Sequence, residues 1–453
     1  MGSRKPRPAL PGGPYLVVGL ARSGEAAARV LAAHGEEVMG TDSGAPAGAA
    51  GLDALGVEVS LDDDGLRQLD RAGCVVKSPG VPASSAVVAA ARERGLPVLG
   101  ELELAWRLLP NPFVAVTGTN GKTTVTELLG EIWRSGGRPV AVAGNVGKPL
   151  ASLVGATRAD TTVICEASSF QLEDSLEFAP ECAVLLNISP DHLDRHETLE
   201  AYIQAKLRAF ANQGDGDFAV FNGCEQVLRG RDLGGRGRRI AFCHGCGGPD
   251  CEVVVEGEAI VAAAAPLMAL AEVSLPGAHN AENAMAAAAT ALAMGLEREA
   301  VAEGIHRFRG VAHRLERVDV VGGVSYVNDS KATNVTAARA AIQAFDAPVH
   351  VILGGSSKGE GFAALAGPLA VRAKAAYLIG DTAPRLERDL AAAWDAGVEH
   401  RTFPGLAEAF RAAAGAAGEG EVVLLAPACA SFDAYADYAE RGEDFRLLVE
   451  GLR

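Results

Sequence analysis

The residues best able to do chemistry lie in Thr117-Gly118-Thr119-Asn120-Gly121-Lys122-Thr123-Thr124, between an apolar run, residues 113–116, and a helical pattern beginning at Val125. A strand, a glycine-rich loop and a helix start make an anion nest, because backbone N–H groups and the helix N-terminus face one point. Lys122 is then placed to reach the β- and γ-phosphates of a nucleotide, and Thr123 to offer its hydroxyl to Mg2+. The strict motif has glycine five residues before Gly121, where this chain has Val116, which points to a subclass of the loop. Glu166 closes the apolar run 162–165. A carboxylate at the C-terminal end of a parallel strand sits in the ligand crevice and suits Mg2+. The run 183–186 leads into Asn187-Ile188-Ser189-Pro190-Asp191-His192-Leu193-Asp194-Arg195-His196. Two histidines and two aspartates so close to a strand end favour a functional over a structural role. Lys206, on the helical pattern 198–210, reads by itself as a surface lysine.

These groups must be held by a larger frame. Short apolar runs alternate with helical patterns, as in parallel α/β layers. The run 15–19 passes through Gly19-Leu20-Ala21-Arg22-Ser23-Gly24 to a helix over 25–34. The dinucleotide fingerprint needs glycine where Ala21 stands, so this loop reads as a diphosphate cradle rather than an NAD site. A further run, 74–76, ends at Ser78-Pro79-Gly80. Pro110 and Pro112 stop the helix before them and mark a linker. After the strand 220–222, the Gly/Arg-rich stretch 229–239 reads as a solvated face, and an Ala-rich helix is expected over 281–294. Residues 310–313 mark a second boundary. A hairpin of 318–321 with 324–327 turns at Gly322-Gly323, and strands 349–353, 375–379 and 421–426 follow among helices.

The length, 453 residues, is that of about three domains at roughly 150 residues each. A hydrophobic share of 49% excludes a disordered chain, and a net charge of −16 argues against a nucleic-acid partner. It does not argue against small anions, which are held by local groups. The N-terminal residues lack the apolar core of a signal peptide, and the longest apolar runs, 259–271 and 284–296, are too short to span a membrane. The eight cysteines, mostly isolated, suggest no disulfide framework, and the cytosol is the default compartment. Within CHGCGGPDC, the residues Cys243, His244, Cys246 and Cys251 are spaced for zinc or for a surface loop of reduced thiols, the loop being the expectation.

The segments GTNGKTT, ICEASSFQLE, NISPDHLDRH, AYIQAKLRAF, HRLE, NDSKATN, GGSSKG and PACASFD, in this order, resemble the Mur ligase family. The resemblance implies an α/β fold of three domains: a Rossmann-like UDP-substrate domain over 1–109, a central P-loop ATP domain over 110–311, and a Rossmann-like amino-acid domain over 312–453. It implies a cytosolic enzyme of peptidoglycan precursor synthesis that uses ATP to join D-glutamate to UDP-N-acetylmuramoyl-L-alanine through an acyl phosphate. Two Mg2+ ions, a monomer without nucleic-acid or membrane partners, and closure of the domains are also expected. Gly118, Thr119, Asn120, Gly121 and Thr124 would cradle phosphate with Lys122. Thr123, Glu166, His192 and Lys206 would hold the metals, Lys206 as a carbamate. Asn280, Arg314 and Asp329 match ATP-contacting positions, and Asn145 a substrate contact. Lys331, Thr333, Lys358 and Ser431 match the amino-acid and phosphate side, with Tyr438 where relatives place an aromatic. Ser23, Thr41, Asp42 and Ser78 would face the uridine diphosphate sugar, Asp42 through uracil or ribose. Two rivals are another ligase on this scaffold, such as a folylpolyglutamate synthase or a ligase for a different peptide position, and a P-loop ATPase without ligation.

Overall fold

The computed structural model describes residues 5–245, 251–275, 277–356 and 361–453, without the side chains of residues 193 and 194. Lys358 and Cys246 therefore lie outside the described residues. The chain divides into two compact units, Met1–Phe308 and Arg309–Arg453.

The first unit holds two sheets. Strands β1 (Tyr15–Val18), β2 (Val38–Asp42), β3 (Glu58–Leu61), β4 (Cys74–Lys77) and β5 (Val98–Gly100) pair in parallel in the order β3-β2-β1-β4-β5. The order reverses between β1 and β4, so the loops leaving these two strands open the ligand crevice. Helices α1 (Arg22–Ala33), α2 (Ala86–Glu93) and α3 (Glu101–Leu108) accompany this sheet.

The second sheet has nine strands. They are β6 (Phe113–Thr117), β7 (Val140–Gly144), β8 (Thr162–Glu166), β9 (Cys182–Leu185), β10 (Phe218–Asn222), β11 (Arg238–Cys243), β12 (Cys251–Glu256), β13 (Ala259–Ala262) and β14 (Ala265–Ala269). Their order is β14-β13-β12-β11-β10-β9-β6-β8-β7, parallel except for the β12–β13–β14 meander. Helix α4 (Lys122–Ser135) follows β6 because Val125, Leu128, Leu129, Ile132 and Trp133 recur on one face, and all five are buried. Helices α5 (Ser169–Leu172), α6 (Leu193–His196), α7 (Leu199–Ala211), α8 (Ala278–Ala293) and α9 (Arg298–Arg307) complete the layers. In α8 the run of alanines permits close packing, and Ala284 through Ala289 are buried.

Buried polar ties join the two sheets. Lys77 Nζ lies 2.7 Å from Asp174 Oδ2, and the Glu103 carboxylate accepts from the amides of Leu176, Glu177 and Phe178. Glu101 lies beside them in an apolar setting, where burial raises its carboxyl to about 7 although the Ala151 amide donates to Oε1 at 2.7 Å. A carboxyl that holds its proton more tightly in the native state stabilises fully below the unfolded pKa of 4.5. That contribution is lost as the pH rises to about 7, a change on the order of 3 kcal/mol. Glu101→Gln should therefore raise the melting temperature at pH 8 and leave it unchanged near pH 4.5 or below. Parallel melting curves against pH for the two proteins would exclude this.

The second unit carries β15 (Glu316–Val321), β16 (Val324–Asn328), β17 (Val349–Gly354), β18 (Ala373–Ile379), β19 (Glu399–Thr402) and β20 (Val422–Leu425), in the order β15-β16-β20-β17-β18-β19. Its strand pairs are parallel apart from the hairpin β15–β16, with Val321 opposite Val324 across Gly322-Gly323, and an isolated antiparallel bridge joins Ser356 and Ala430.

The cysteines correct the sequence reading. Cys243 and Cys251 form a disulfide with Cα atoms 5.9 Å apart, and Cys224 is disulfide-bonded too. The expectation of reduced thiols fails here, and the zinc alternative loses Cys243 and Cys251, whose oxidised sulfurs are not thiolates. Cys243 ends β11 and Cys251 begins its neighbour β12, so the fold brings the pair together. Cys74, Cys165, Cys182 and Cys429 are buried free thiols. No helix among the described residues is long and apolar enough to cross a membrane.

Candidate active site

The glycine loop leaves β6, which lies between β9 and β8 in the nine-stranded sheet, and is pinned by the exit of the adjacent β9. The Thr119 amide donates to Asn187 O at 3.0 Å and the Asn120 amide to Asn187 Oδ1 at 2.8 Å. Thr119 Oγ1 accepts from the Ser189 amide at 3.0 Å and lies 3.1 Å from the Tyr202 hydroxyl. Gly121 has φ +82°, and a Cβ there would come within 2.5 Å of Asn283 Oδ1, so only glycine lets α8 approach the loop. Asn283 Nδ2 in turn donates to Asn280 Oδ1 at 3.3 Å.

Two lysines converge on one carbonyl. Lys122 Nζ donates to Gly118 O at 2.9 Å, and Lys206 Nζ donates to the same oxygen at 2.7 Å. Lys206 is buried, with Nζ 4.3 Å from the Tyr202 ring centroid. Burial, and secondarily the charge of Lys122, push its ammonium down to about 7. The surface reading of Lys206 thus fails, because α7 turns this residue inward.

Beside the lysines lies Glu166, at the end of β8 and buried. Its Oε2 accepts from Thr123 Oγ1 at 2.7 Å and its Oε1 from Asn145 Nδ2 at 3.0 Å. Hard oxygen donors of this kind fit Mg2+. Among the described residues no cluster of three or more His, Cys, Asp or Glu is assembled to hold a metal. A magnesium ion here would therefore draw much of its coordination from phosphate and water, which is its ordinary habit. Lys206 as an ammonium is a donor only and fits no metal; as a carbamate it would. His192 is exposed, with φ +52° and its ring 4.9 Å from that of Phe170. His196, by contrast, is buried, its Nε2 2.9 Å from Ser169 Oγ, and burial lowers its pKa.

The first-sheet loop is equally built. A Cβ on Gly24 would stand 1.7 Å from Gly19 O, so the start of α1 closes onto β1 only with glycine there. Ser78 Oγ donates to Gly19 O at 2.9 Å, and Asp42 Oδ2 accepts from the Leu20 amide at 2.7 Å. Thr41 Oγ1 donates to Asp63 O at 3.2 Å and is buried, while Ser23 lies in the first turn of α1. Arg22 donates to Gly147 O at 2.6 Å, which sets this loop beside the segment carrying Asn145.

In the second unit the predicted residues gather at the C-terminal ends of β16 and β20. Asp329 Oδ1 accepts from the Leu315 amide at 3.1 Å. Burial raises the Asp329 carboxyl to about 6, against the pull of its amide bond, Arg314 and Lys331. The Lys331 amide donates to His313 O at 3.0 Å and the Thr333 amide to Lys331 O at 2.8 Å. Ser330 Oγ donates to Tyr438 O at 2.7 Å. Arg441 then clamps both strand exits: Nη2 donates to Ser330 O at 2.9 Å and Cys429 O at 3.1 Å, and Nη1 to Ala430 O at 3.2 Å. It is buried, which lowers its pKa to about 10. Ser431 follows Ala430 directly and is also buried. Arg441→Ala removes the donor from Ser330 O and Cys429 O, while Ala430 O keeps the Ser356 amide at 2.9 Å, and should cost on the order of 3 kcal/mol, seen as a lower urea midpoint. A loss below about 1 kcal/mol would remove Arg441 from this role.

Sequence reasoning missed Arg441, Tyr202 and Asn283. Tyr202 lies within the AYIQAKLRAF segment, where its spacing of four from Lys206 was a usable signal; for Arg441 and Asn283 the sequence offers none.

A glycine loop between strand and helix, with a buried carboxylate on its threonine and two lysines on one of its carbonyls, defines a nucleotide-binding α/β protein of the P-loop class. Residues 116–291 match the model of the Mur ligase middle domain, and residues 313–429 that of the Mur ligase glutamate ligase domain. The UDP-N-acetylmuramoylalanine--D-glutamate ligase of Pelotomaculum thermopropionicum is 43% identical, covering 97% of each chain. The ligase of the same name from Acidobacterium capsulatum is 42% identical, covering 97% of this chain and 96% of its own. Among solved structures, UDP-N-acetylmuramate-alanine ligase of Thermotoga maritima superposes with a TM-score of 0.57 at 18% identity, covering 97% of this chain and all of its own. This chain belongs to the Mur ligase family.

Proposed function

We propose that this protein is an ATP-dependent amide ligase that joins D-glutamate to the L-alanine carboxylate of UDP-N-acetylmuramoyl-L-alanine. The observation that carries the reading is the convergence of Lys122 and Lys206 on Gly118 O, next to the Thr123–Glu166 pair. Relatives with that name, matched over nearly the full length, support the choice of substrates.

A carboxylate oxygen of the alanine attacks the γ-phosphorus of ATP, the bond to the bridging oxygen breaks, and ADP leaves. The glutamate amine, having lost a proton, attacks the acyl carbon, and inorganic phosphate leaves with the C–O bond electrons. Every participant is anionic, so positioning and charge neutralisation are the task. Lys122 meets the transferring phosphate, and the loop amides hold the rest of the chain of phosphates. Magnesium, when bound through Glu166 and Thr123, supplies Lewis acidity and screens phosphate charge. Lys206 as a carbamate, with His192, would serve a second ion. Asn280, Arg314 and Asp329 would take the nucleoside end of ATP. The loop at Gly19 and Ser23, with Thr41, Asp42 and Ser78, would hold the UDP sugar, and Asn145 its peptidyl side. Lys331, Thr333, Ser431 and Tyr438 would receive glutamate. The three stretches 1–109, 110–311 and 312–453 are proposed as the UDP, ATP and amino-acid domains.

ADP release in the presence of ATP, Mg2+ and UDP-N-acetylmuramoyl-L-alanine should depend on added D-glutamate and not on L-glutamate. ADP release independent of glutamate would mean an ATPase without ligation, and dependence on a different amino acid would mean another ligase of the family.

A further inference from the structure

Cys243 and Cys251 have no task in the reaction, yet they stand against the wall of the nucleotide loop. On the near side of Cys243, Phe242 lines a small pocket of about 50 Å³ together with Asn120, Gly121, Asn187, His279 and Glu282. On the far side, His244 Nδ1 lies 3.9 Å from Glu282 Oε1, and Cys224 Sγ lies 3.5 Å from His244 O. The Gly223 amide donates to Phe242 O at 3.0 Å. The residues before and after Cys243 are thus both built into the surroundings of Gly121. We propose that Cys243–Cys251 is a thiol–disulfide exchange site whose oxidation state sets the affinity of the nucleotide loop. The inference rests on reading residues 117–124 as the ATP site.

The chemistry is two-electron reduction. A dithiol attacks the disulfide, takes up its oxidation to become a disulfide itself, and leaves two protein thiols carrying the two protons. Two unbonded sulfurs must then separate to van der Waals distance. There is no slack on one side: a Cβ at Gly223 would already be 2.7 Å from Cys243 Sγ and 3.4 Å from Cys251 Sγ, so the sulfurs pack directly on that backbone. With Gly223 closing that side, the separation is taken up at the ends of β11 and β12, where Phe242 and His244 flank Cys243 and adjoin the surroundings of Gly121. Nucleotide that fits the oxidised wall will resist reduction to the same extent, because coupling between two equilibria is reciprocal.

The test uses the full chain equilibrated in oxidised and reduced dithiothreitol, with ATP binding measured by calorimetry and the state of Cys243 and Cys251 read by alkylation and mass spectrometry. Reduction should weaken ATP binding at least about fivefold, and saturating ATP should shift the reduction equilibrium by the same factor. The double variant Cys243→Ser, Cys251→Ser should bind ATP as the reduced protein does, and any change dithiothreitol still causes in it belongs to the disulfide of Cys224. If that variant does not fold, the wild-type alkylation equilibrium still decides. Equal ATP affinity in both states overturns the inference and leaves the ligase reading intact. One zinc per chain with no reducible disulfide also overturns it, since the sulfurs are then metal ligands. ATP binding in neither state overturns the nucleotide reading and this inference with it.

Discussion

Lys206→Ala is expected to lower kcat by roughly 10³-fold, the scale on which preorganised charge at a transferring group acts. The residue is buried, and its amine meets the same carbonyl as Lys122 at 2.7 Å. Burial disfavours its charged form, and the ammonium of Lys122 on the same oxygen adds to this, so the Lys206 ammonium falls to about 7. A neutral amine attacks carbon dioxide, forms a C–N bond and releases a proton. The product on Lys206 would be an anion with two oxygens where a cation had been. The alternative role, a lysine that only neutralises phosphate, is separable. If carbamylation is the reason, formate or acetate should restore part of the activity of Lys206→Ala, and Lys206→Arg should remain inactive. Full activity in Lys206→Ala would end both roles. Activity in Lys206→Arg close to wild type would leave only the cationic one.

Glu166→Gln should reduce kcat/KM for ATP by about 10²- to 10³-fold and raise the Mg2+ concentration needed for half-maximal rate. The substitution keeps the shape and one acceptor oxygen but removes the charge. It also sets an amide donor against either Thr123 Oγ1 or Asn145 Nδ2, each of which now donates to the carboxylate. A structural defect would instead lower the melting temperature and leave the Mg2+ requirement where it was. Unchanged Mg2+ dependence in a fully folded variant would show that Glu166 is a scaffold for Thr123 and Asn145 alone.

The two predictions differ in how legible their residues were. Glu166 ends an apolar run, and a strand that stops on a carboxylate announces a crevice whatever surrounds it. Lys206 announces nothing, because half a turn of rotation of α7 about its axis would place it in solvent, and only the packing of that helix on β6 and β9 decides between the two. The hairpin at Gly322-Gly323 and the apolar face of α4 were readable since both are set by residues close in sequence. Strand β19, Glu-His-Arg-Thr, was not, because an edge strand needs no apolar run and borrows its register from β18. The disulfide was hidden for a related reason: pairing of Cys243 with Cys251 requires the adjacency of β11 and β12, which spacing along the chain does not encode.

What the sequence by itself determined is the set of parts: the phosphate loop, the carboxylate after β8, the second glycine loop, and the resemblance that orders them along the chain. Local rules suffice for these, since a glycine nest or a strand–helix alternation is made by neighbours. The tertiary structure decided which parts share a carbonyl or a carboxylate. It turned Lys206 inward onto Gly118, bound Asn145 to Glu166 across the β7–β8 pair, and placed Arg441 where it ties the exits of β16 and β20 together. Such contacts join residues 12 to 111 positions apart, and their energies depend on burial that no local pattern reports.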